Sequence, residues 1–494
     1  MNRIASIDQL PRLGSNGVPQ LAIDRLREEL GVSNVRIVDV LTEIDRDACI
    51  VVMPASTKEV STVVRICQQY EIPIVPEGGR TGLVGGSNLS PGEIILSTAR
   101  LNCIERLDPV ERVAVVGAGV TLETLQMAAL QERLEPGIDL AARGSATIGG
   151  MVSTNAGGIM AFRNGVMRHR VLGLEAVLAD GSIYSDLTRV VKNTAGYDLK
   201  HLFIGAEGTL GIVTRVVVKL DPIPRATATA LFGLPSIGAA LQTIRLALDS
   251  EAGHLRAAEA MWNTYFRLAA SARGWSEPDV PVEQPIFLLL SLGGAIEGAL
   301  RDDFERIFLK TLERFPEATG IVAGSKRQED DLWRLREDTE VLYRAHPNAP
   351  SFDVSVPLSE ISTYLDKALT GLAAIEPDLA PYVFGHLADG NLHIVLNREG
   401  PLPRHISQPV EDTLYGCLRE IGGSFSAEHG VGSKRIHALL ETADPAKLAA
   451  MERVKRALDD QSIMNPDKVL PSDAWFVRSS GSFGSNEERR DGSS

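Results

Sequence analysis

The chain has 494 residues, 44% of them hydrophobic, enough for the cores of roughly two to four domains. Its 64 acidic against 50 basic residues give a net charge of −14, which argues against nucleic acid or an anionic membrane as main partner. The four cysteines, Cys49, Cys67, Cys103 and Cys417, are scattered without a C-x-x-C and read as buried small hydrophobes of a reducing compartment, not as iron–sulfur or zinc–thiolate ligands.

The N-terminus lacks a basic stretch followed by an apolar one. Apolar runs such as Ile286–Leu290 are far too short to span a bilayer. The expectation is a soluble, cytoplasmic enzyme. Residues 1–45 read as a helical lead-in carrying Leu21, Ile23, Leu26 and Leu30. Cys49–Pro54 is a short apolar strand. Ser56 and Glu59 have capping-box spacing, and Val60, Val63, Val64 and Cys67 then share one helical face. Ile72–Val75 is the next strand. The order strand, helix, strand, glycine loop is an α/β opening.

The loop Pro76–Asn88 holds five glycines in thirteen residues. Gly78, Gly79, Gly82 and Gly86 let main-chain N–H groups approach a ligand, and successive N–H groups make a concave anion site. Pro76 fixes the entry direction, while Thr81 and Ser87 add hydroxyl donors beside Arg80. No Gly-Lys-Ser/Thr follows, and the dinucleotide pattern G-x-G-x-x-G is poorly matched. A pyrophosphate cradle and a glycine-rich surface turn both fit this loop taken alone.

Val113–Val116 reads as a strand, and Thr121 heads a helix with Leu122, Leu125 and Leu130. Two more glycine-rich stretches follow. Gly144–Gly158 includes Ser145, Gly149, Gly150 and Asn155; Gly205–Gly211 includes Glu207 and feeds a strand from Ile212 to Leu220. Between them, Val171–Leu178, Asp180-Gly181 and Ile183-Tyr184 form a hairpin signal. Asp221–Pro224 marks a boundary. Beyond it, strands near 227–234, 255–261, 286–292 and 320–323 alternate with helices near 236–249 and 296–314. That β-α-β-β-α-β order predicts a ferredoxin-like sandwich. The tail after Trp475 is rich in serine, glycine and charge and reads as disordered.

His386 and His393 stand seven positions apart around an Asp389-Gly390 turn, and Glu428-His429-Gly430 comes later. Two imidazoles and a carboxylate are a usual set for a catalytic Zn²⁺ with an open position. His386, His393 and Glu428 fit it, with His429 free as a base. Satisfied surface histidines would explain the same spacing, and H-E-x-x-H is absent.

Taken together in this order, the segments resemble the flavoprotein dehydrogenases of D-2-hydroxy acids, the D-lactate and D-2-hydroxyglutarate dehydrogenases of the vanillyl-alcohol oxidase superfamily. The matching pieces are Pro76–Asn88, Gly144–Gly158, Val171–Gly181, Lys192–Leu199, Gly205–Thr214, His386–His393, Glu428–Gly430 and Asn465–Pro471, spread over residues 40 to 471. The resemblance implies an α+β fold: a two-subdomain PCMH-type FAD-binding domain over 46–224, a ferredoxin-like substrate (cap) domain with the metal site over 225–428, and a helical C-terminal segment, 429–475, returning to the flavin. The lead-in would cover 1–45 and the disordered tail 476–494.

It implies noncovalent FAD, its pyrophosphate on Gly78–Ser87. Ser145, Gly149, Gly150 and Asn155 would line the cofactor, Glu207 and Ile212 would sit toward its far end, and Asn465 would return to the flavin. Zinc on His386, His393 and Glu428 would chelate the 2-hydroxyl and carboxylate of the substrate. His429 would take the hydroxyl proton, Arg336 would grip the carboxylate, Asn391 would belong to the catalytic set, and the C2 hydride would pass to the flavin. By composition alone Arg336 reads instead as a helix-surface arginine. A separate electron acceptor is implied (electron-transfer flavoprotein, a cytochrome or a quinone), and a homodimer.

Where the hydroxyglutarate enzymes carry a lysine, this chain has Ser351. Where they carry an asparagine two residues after the second histidine, it has Val395, and Thr339 stands one place from their substrate threonine. Both D-2-hydroxyglutarate and a D-lactate-like acid are therefore candidates. The alternatives are a flavin oxidase, an oxidoreductase of another alcohol or sugar acid, a zinc hydrolase with structural glycine loops, and a non-catalytic FAD-binding module.

Overall fold

The computed structural model describes residues 17–41, 46–275 and 283–472; the serine-rich tail lies outside them. Three sheets organise the chain. The first has four strands in the order Val35–Leu41, Arg46–Val52, Ile94–Ser97, Ile74–Glu77, the last three mutually parallel. Helix Thr57–Gln69 makes the crossover between two of them, and Ser56 caps it: Ser56 Oγ accepts from Glu59 N, while Glu59 Oε2 reaches one residue past the cap to accept from Ala55 N. Val60, Val63, Val64 and Cys67 are fully buried against this sheet.

The lead-in is not helical throughout. Helix Gln20–Leu30 buries Ile23, Leu26 and Leu30, while Leu21 is exposed. Val35–Leu41 is a strand pairing with Arg46–Val52. Its β-branched residues Val35, Ile37 and Val38 favour the pleated ladder over another helical turn. Two cysteines depart from expectation: Cys49 and Cys67 are buried, but Cys103 is exposed and Cys417 half-buried.

The second sheet has five antiparallel strands in the order Ile104–Asp108, Val113–Gly117, Ile212–Lys219, Val171–Val177, Ile183–Asp186. Helix Ile148–Thr154 packs against it, and its N-terminal turn carries the second glycine-rich stretch.

The third sheet has seven antiparallel strands. Thr319–Val322, Ala226–Leu234, Ile286–Gly294 and Gly253–Trp262 lie side by side in the ferredoxin-like arrangement the β-α-β-β-α-β order predicts. Pro381–His386, Asn391–Leu396 and Ser351–Ser355 extend that sheet. Helices Ile237–Leu248, Glu297–Arg314 and Ile361–Ile375 cover one face with a large apolar core. Helices Asn263–Ala272 and Lys326–Glu337 cover part of the other, and the first of these is absent from the sequence reading. Among the described residues no helix is long and apolar enough to cross a membrane.

The C-terminal segment runs back to the first sheet. Ile74 N donates to Ile463 O and Asn465 N to Ile74 O, so the returning chain lies along the strand that enters the glycine loop. Lys455 Nζ holds the return in place, donating to Thr209 O and Met464 O and pairing with the buried Asp459.

Candidate active site

A cleft of about 330 Å³ lies between the first two sheets. Its walls come from the three glycine-rich stretches: Pro76, Gly78, Gly79, Arg80, Thr81, Gly82, Gly86 and Ser87; Gly149 and Gly150; Glu207 and Ile212. The glycines are there because backbone must approach backbone. A Cβ on Gly79 would lie 1.8 Å from Ser145 O, and one on Gly149 would lie 2.5 Å from Ala118 Cβ. The rest of the expected cofactor set supports the walls from behind. Ser145 offers its carbonyl under Gly79. Asn155 caps helix Ile148–Thr154 in a left-handed conformation, its Oδ1 accepting from Arg168 N. Asn465 donates through Nδ2 to Gly86 O and Glu207 O, and its Oδ1 is buried without a partner. A cleft that is long, lined by main chain and flanked by an orphaned buried acceptor fits a bound cofactor with a diphosphate.

A second chamber, of about 240 Å³, opens from this cleft; the two share Leu83, Leu140, Ala141, Glu428 and His429. Its floor is one face of the seven-stranded sheet. Residues on a strand alternate faces, and paired residues share one. Glu259 pairs with His386 and His386 with Asn391; Phe384 pairs with His393 and His393 with Asp353. The register therefore gathers Glu259, His386, His393, Asn391 and Asp353 on a single face. Loop residues Glu428 and His429 come down on it, their N–H groups donating to Asp353 Oδ2 at 2.8 and 3.1 Å.

The ligand atoms of His386, His393 and Glu428 all lie within 4.8 Å of one another. His386 Nε2 is 3.7 Å from Glu428 Oε1, and His393 Nε2 is 4.0 Å from Glu428 Oε2. Each imidazole turns its other nitrogen to a fully buried carboxylate: His386 Nδ1 to Glu259 at 2.7 Å, His393 Nδ1 to Asp353 at 3.5 Å. Such partners fix the tautomer and aim Nε2 at a metal, so the donor set fits a divalent cation.

The electrostatics follow from burial and pairing. Burial alone would push the Glu259 carboxyl up, but His386 and Arg336 hold it below its usual range. Burial likewise disfavours charge on His386, yet Glu259 and Glu428 raise that ring to about 9. Burial dominates at His393 and His429 and lowers both, against the opposing charge of Asp353. Burial raises Glu428.

Arg336 is buried and lies on the chamber wall, its guanidinium over the Phe384 ring at 4.9 Å and its Nε 2.8 Å from Glu259 Oε2 without an aligned hydrogen bond. It is not a surface residue of its helix. Asn391, expected in the catalytic set, lies on the same sheet face as His386 and His393, and its Oδ1 is buried without a partner. Its Nδ2 donates to Asp353 Oδ1 at 2.7 Å and Val354 O at 3.1 Å, which makes it a positioning residue. His429 directs Nδ1 toward Asp353 at 3.7 Å and Arg435 at 3.4 Å.

Two contributors were not singled out from the sequence. Glu259 carried a signal: it has the same strand parity as Ala257 and Met261, so its carboxylate had to point inward. Asp353 carried none, because Ser351 and Ser355 share its parity and make that face look solvated. Glu207, expected at the cofactor, also holds the loop that follows Glu428 and His429: its carboxylate accepts from Val431 N and Gly432 N at 2.7 and 2.8 Å.

Comparison with known proteins bears on this geometry. Residues 48–186 match the family model of an FAD binding domain, and residues 223–469 that of the C-terminal domain of FAD linked oxidases. The chain is 35% identical over 448 residues to the mitochondrial D-2-hydroxyglutarate dehydrogenase of Rattus norvegicus, covering 90% of this chain and 82% of the relative. It is 35% identical over 431 residues to the D-2-hydroxyglutarate dehydrogenase of Xanthomonas citri pv. viticola, covering 85% and 89% respectively. Among solved structures, p-cresol methylhydroxylase superposes with a TM-score of 0.71 at 18% identity, over 92% of this chain and 98% of the other. The 4-ethylphenol oxidase of Gulosibacter chungangensis gives 0.69 at 19% identity, over 93% and 99%. The architecture is therefore the α+β fold of FAD-linked oxidases, in which two sheets enclose the cofactor cleft and a third carries the chamber floor.

Proposed function

Because the chain belongs to the family of FAD-dependent D-2-hydroxyacid dehydrogenases, we propose that its chamber oxidises a D-2-hydroxy acid to the 2-oxo acid with the help of a divalent metal, zinc first among candidates, on His386, His393 and Glu428. One observation carries the reading: the metal-type cluster and the cofactor cleft share a wall at Glu428 and His429. A substrate held at the cluster would thus face the cofactor. When bound, FAD supplies the hydride acceptor, and a divalent cation supplies the charge that makes a hydroxyl proton easier to remove.

The chain's own residues divide the remaining work. Arg336 has Nε against Glu259, which leaves its two terminal nitrogens for the planar fork a substrate carboxylate requires. With the His429 ring proton on Nδ1, facing the Asp353 carboxylate 3.7 Å away, Nε2 is the unprotonated nitrogen that accepts the hydroxyl proton. Asp353 would steady the imidazolium that results. Leu83, Leu140 and Ala141 form the apolar part of the shared wall and keep water from the line between substrate and cofactor. The electrons would leave to a separate acceptor (electron-transfer flavoprotein, a cytochrome or a quinone), and a basic patch on that partner would suit the net charge of −14.

The test is anaerobic mixing of the purified holoprotein with D- and L-2-hydroxy acids while the flavin band is followed. Bleaching by a D-acid, lost on chelation and restored by zinc, is the expected result. Bleaching that survives full chelation would remove the metal from the reading, and a yellow protein bleached by no D-2-hydroxy acid would remove the substrate class.

A further inference from the structure

We propose that the chamber selects D-2-hydroxy monocarboxylic acids with an uncharged side chain, and that Glu337 and Asp139 at its rim enforce the choice; this rests on the dehydrogenase reading above. The argument is a charge count over the chamber wall. Its carboxylates are Asp139, Glu259, Glu337 and Glu428, and its permanent cations are Arg143 and Arg336. Carboxylates outnumber arginines by two, so a divalent ion on the histidine–Glu428 cluster would bring the wall to neutrality and no further.

Arg143 is engaged through both edges of its fork, Arg336 through Nε alone. Arg336 lies 2.8 Å from Glu259. Arg143 donates to Asp139 through Nε at 2.7 Å and Nη2 at 3.0 Å, and Nη2 also lies 3.5 Å from Glu337. The substrate's own C1 carboxylate can be taken up by Arg336 and the cation. A second carboxylate, on the side chain, would find no unpaired cation among the described residues of the wall. It would have to sit beside Glu337 and Asp139, whose side chains are 42% and 23% exposed. Like charges in a cleft cost far more than at an open surface. The chamber wall also offers the hydroxyls of Thr339, Tyr343 and Ser351 against the apolar Leu342 and Val395, which suits a short alkyl group.

The experiment compares D-2-hydroxybutyrate with D-2-hydroxyglutarate on the FAD- and zinc-loaded holoprotein, by anaerobic stopped-flow reduction of the flavin. In parallel, flavin absorbance is titrated with 2-oxobutyrate and 2-oxoglutarate to read binding without turnover. The monocarboxylate should be favoured about ten-fold or more in both measurements. Glu337→Gln and Asp139→Asn, each at a partly exposed rim position, should shrink that ratio by freeing Arg143. Equal or better handling of hydroxyglutarate, or a ratio unmoved in both variants, overturns the inference and leaves the dehydrogenase reading standing. Failure of every D-2-hydroxy acid to reduce the flavin strikes the reading itself.

Discussion

His386 Nδ1 lies 2.7 Å from Glu259 Oε1 across adjacent strands, 127 positions apart in the chain. The same carboxylate meets Arg336 on its other oxygen, so one fully buried glutamate orients both a candidate metal ligand and the candidate substrate arginine. Glu259→Gln keeps the shape but removes the charge. Outer partners of this kind are worth about 10–100-fold in metal affinity. Zinc affinity, measured by competition with a chromophoric chelator, should fall by that factor, and the KM for the hydroxy acid should rise as Arg336 loses its counter-charge. Unchanged zinc affinity would show that Glu259 does not orient His386.

Asp353 organises the opposite side of the cluster. It is fully buried and accepts from Asn391 Nδ2, Glu428 N and His429 N. Burial works against its charge, but His429, His393 and these donors hold the carboxyl well below its usual range. Asp353→Asn would turn one acceptor into an NH₂ facing N–H donors. A buried donor left without its acceptor costs about 1–3 kcal/mol, so the melting temperature should drop clearly. Asn391→Ala should lower it less, because Asp353 keeps its two backbone donors. A larger loss in Asn391→Ala would mean that Asn391, and not Asp353, is the organising group.

How much of this was legible follows from period and parity. The β-α-β-β-α-β order could be read because each element has its own apolar periodicity, as in Ala226–Leu234 and Ile237–Leu248. The extra strands Pro381–His386, Asn391–Leu396 and Ser351–Ser355 are long-range partners, and no local pattern says which sheet they join. The cluster of His386, His393 and Glu428 could be anticipated because histidine is scarce and the turn at Asp389-Gly390 is a local signal. Their supports could not: Asp353 sits in a strand that reads as half-solvated, and the pairing of Glu207 with Val431 and Gly432 joins residues more than two hundred positions apart. The bond from Asn391 Nδ2 to Asp353 on the next strand is likewise a long-range contact that no local pattern announces.

Lys455 tests whether the C-terminal return is fastened as the geometry states. Its ammonium bonds Thr209 O and Met464 O at 2.8 Å each and pairs with Asp459, which is 1% exposed. Lys455→Met fills the space but strands a buried carboxylate, a loss of about 3–5 kcal/mol. Urea unfolding should show it. Lys455→Met combined with Asp459→Asn should recover part of the stability, since no unpaired charge remains and the amide oxygen still accepts from the Ile463 N or Met464 N that Asp459 serves. If the double variant is as unstable as the single one, the backbone contacts of Lys455, not the ion pair, hold the segment.

Gly79 and Gly82 separate the fold of the glycine loop from its use. A Cβ on Gly79 would lie 1.8 Å from Ser145 O, so Gly79→Ala must push two backbones apart before any cofactor arrives. A Cβ on Gly82 would meet nothing within 4 Å, yet Gly82 is on the cleft wall. Gly79→Ala should therefore lower both the melting temperature of the flavin-free protein and its flavin content. Gly82→Ala should leave the flavin-free melting curve within about 0.5 kcal/mol, as for surface changes generally, while its added methyl group weakens FAD binding where the loop meets the cofactor. The measurement is the ratio of flavin to protein absorbance after purification, together with an FAD titration of the stripped protein. Full flavin affinity in Gly82→Ala would place the cofactor away from this part of the loop, and a destabilised flavin-free Gly82→Ala would mean that the loop packs more tightly than its open space at Gly82 allows.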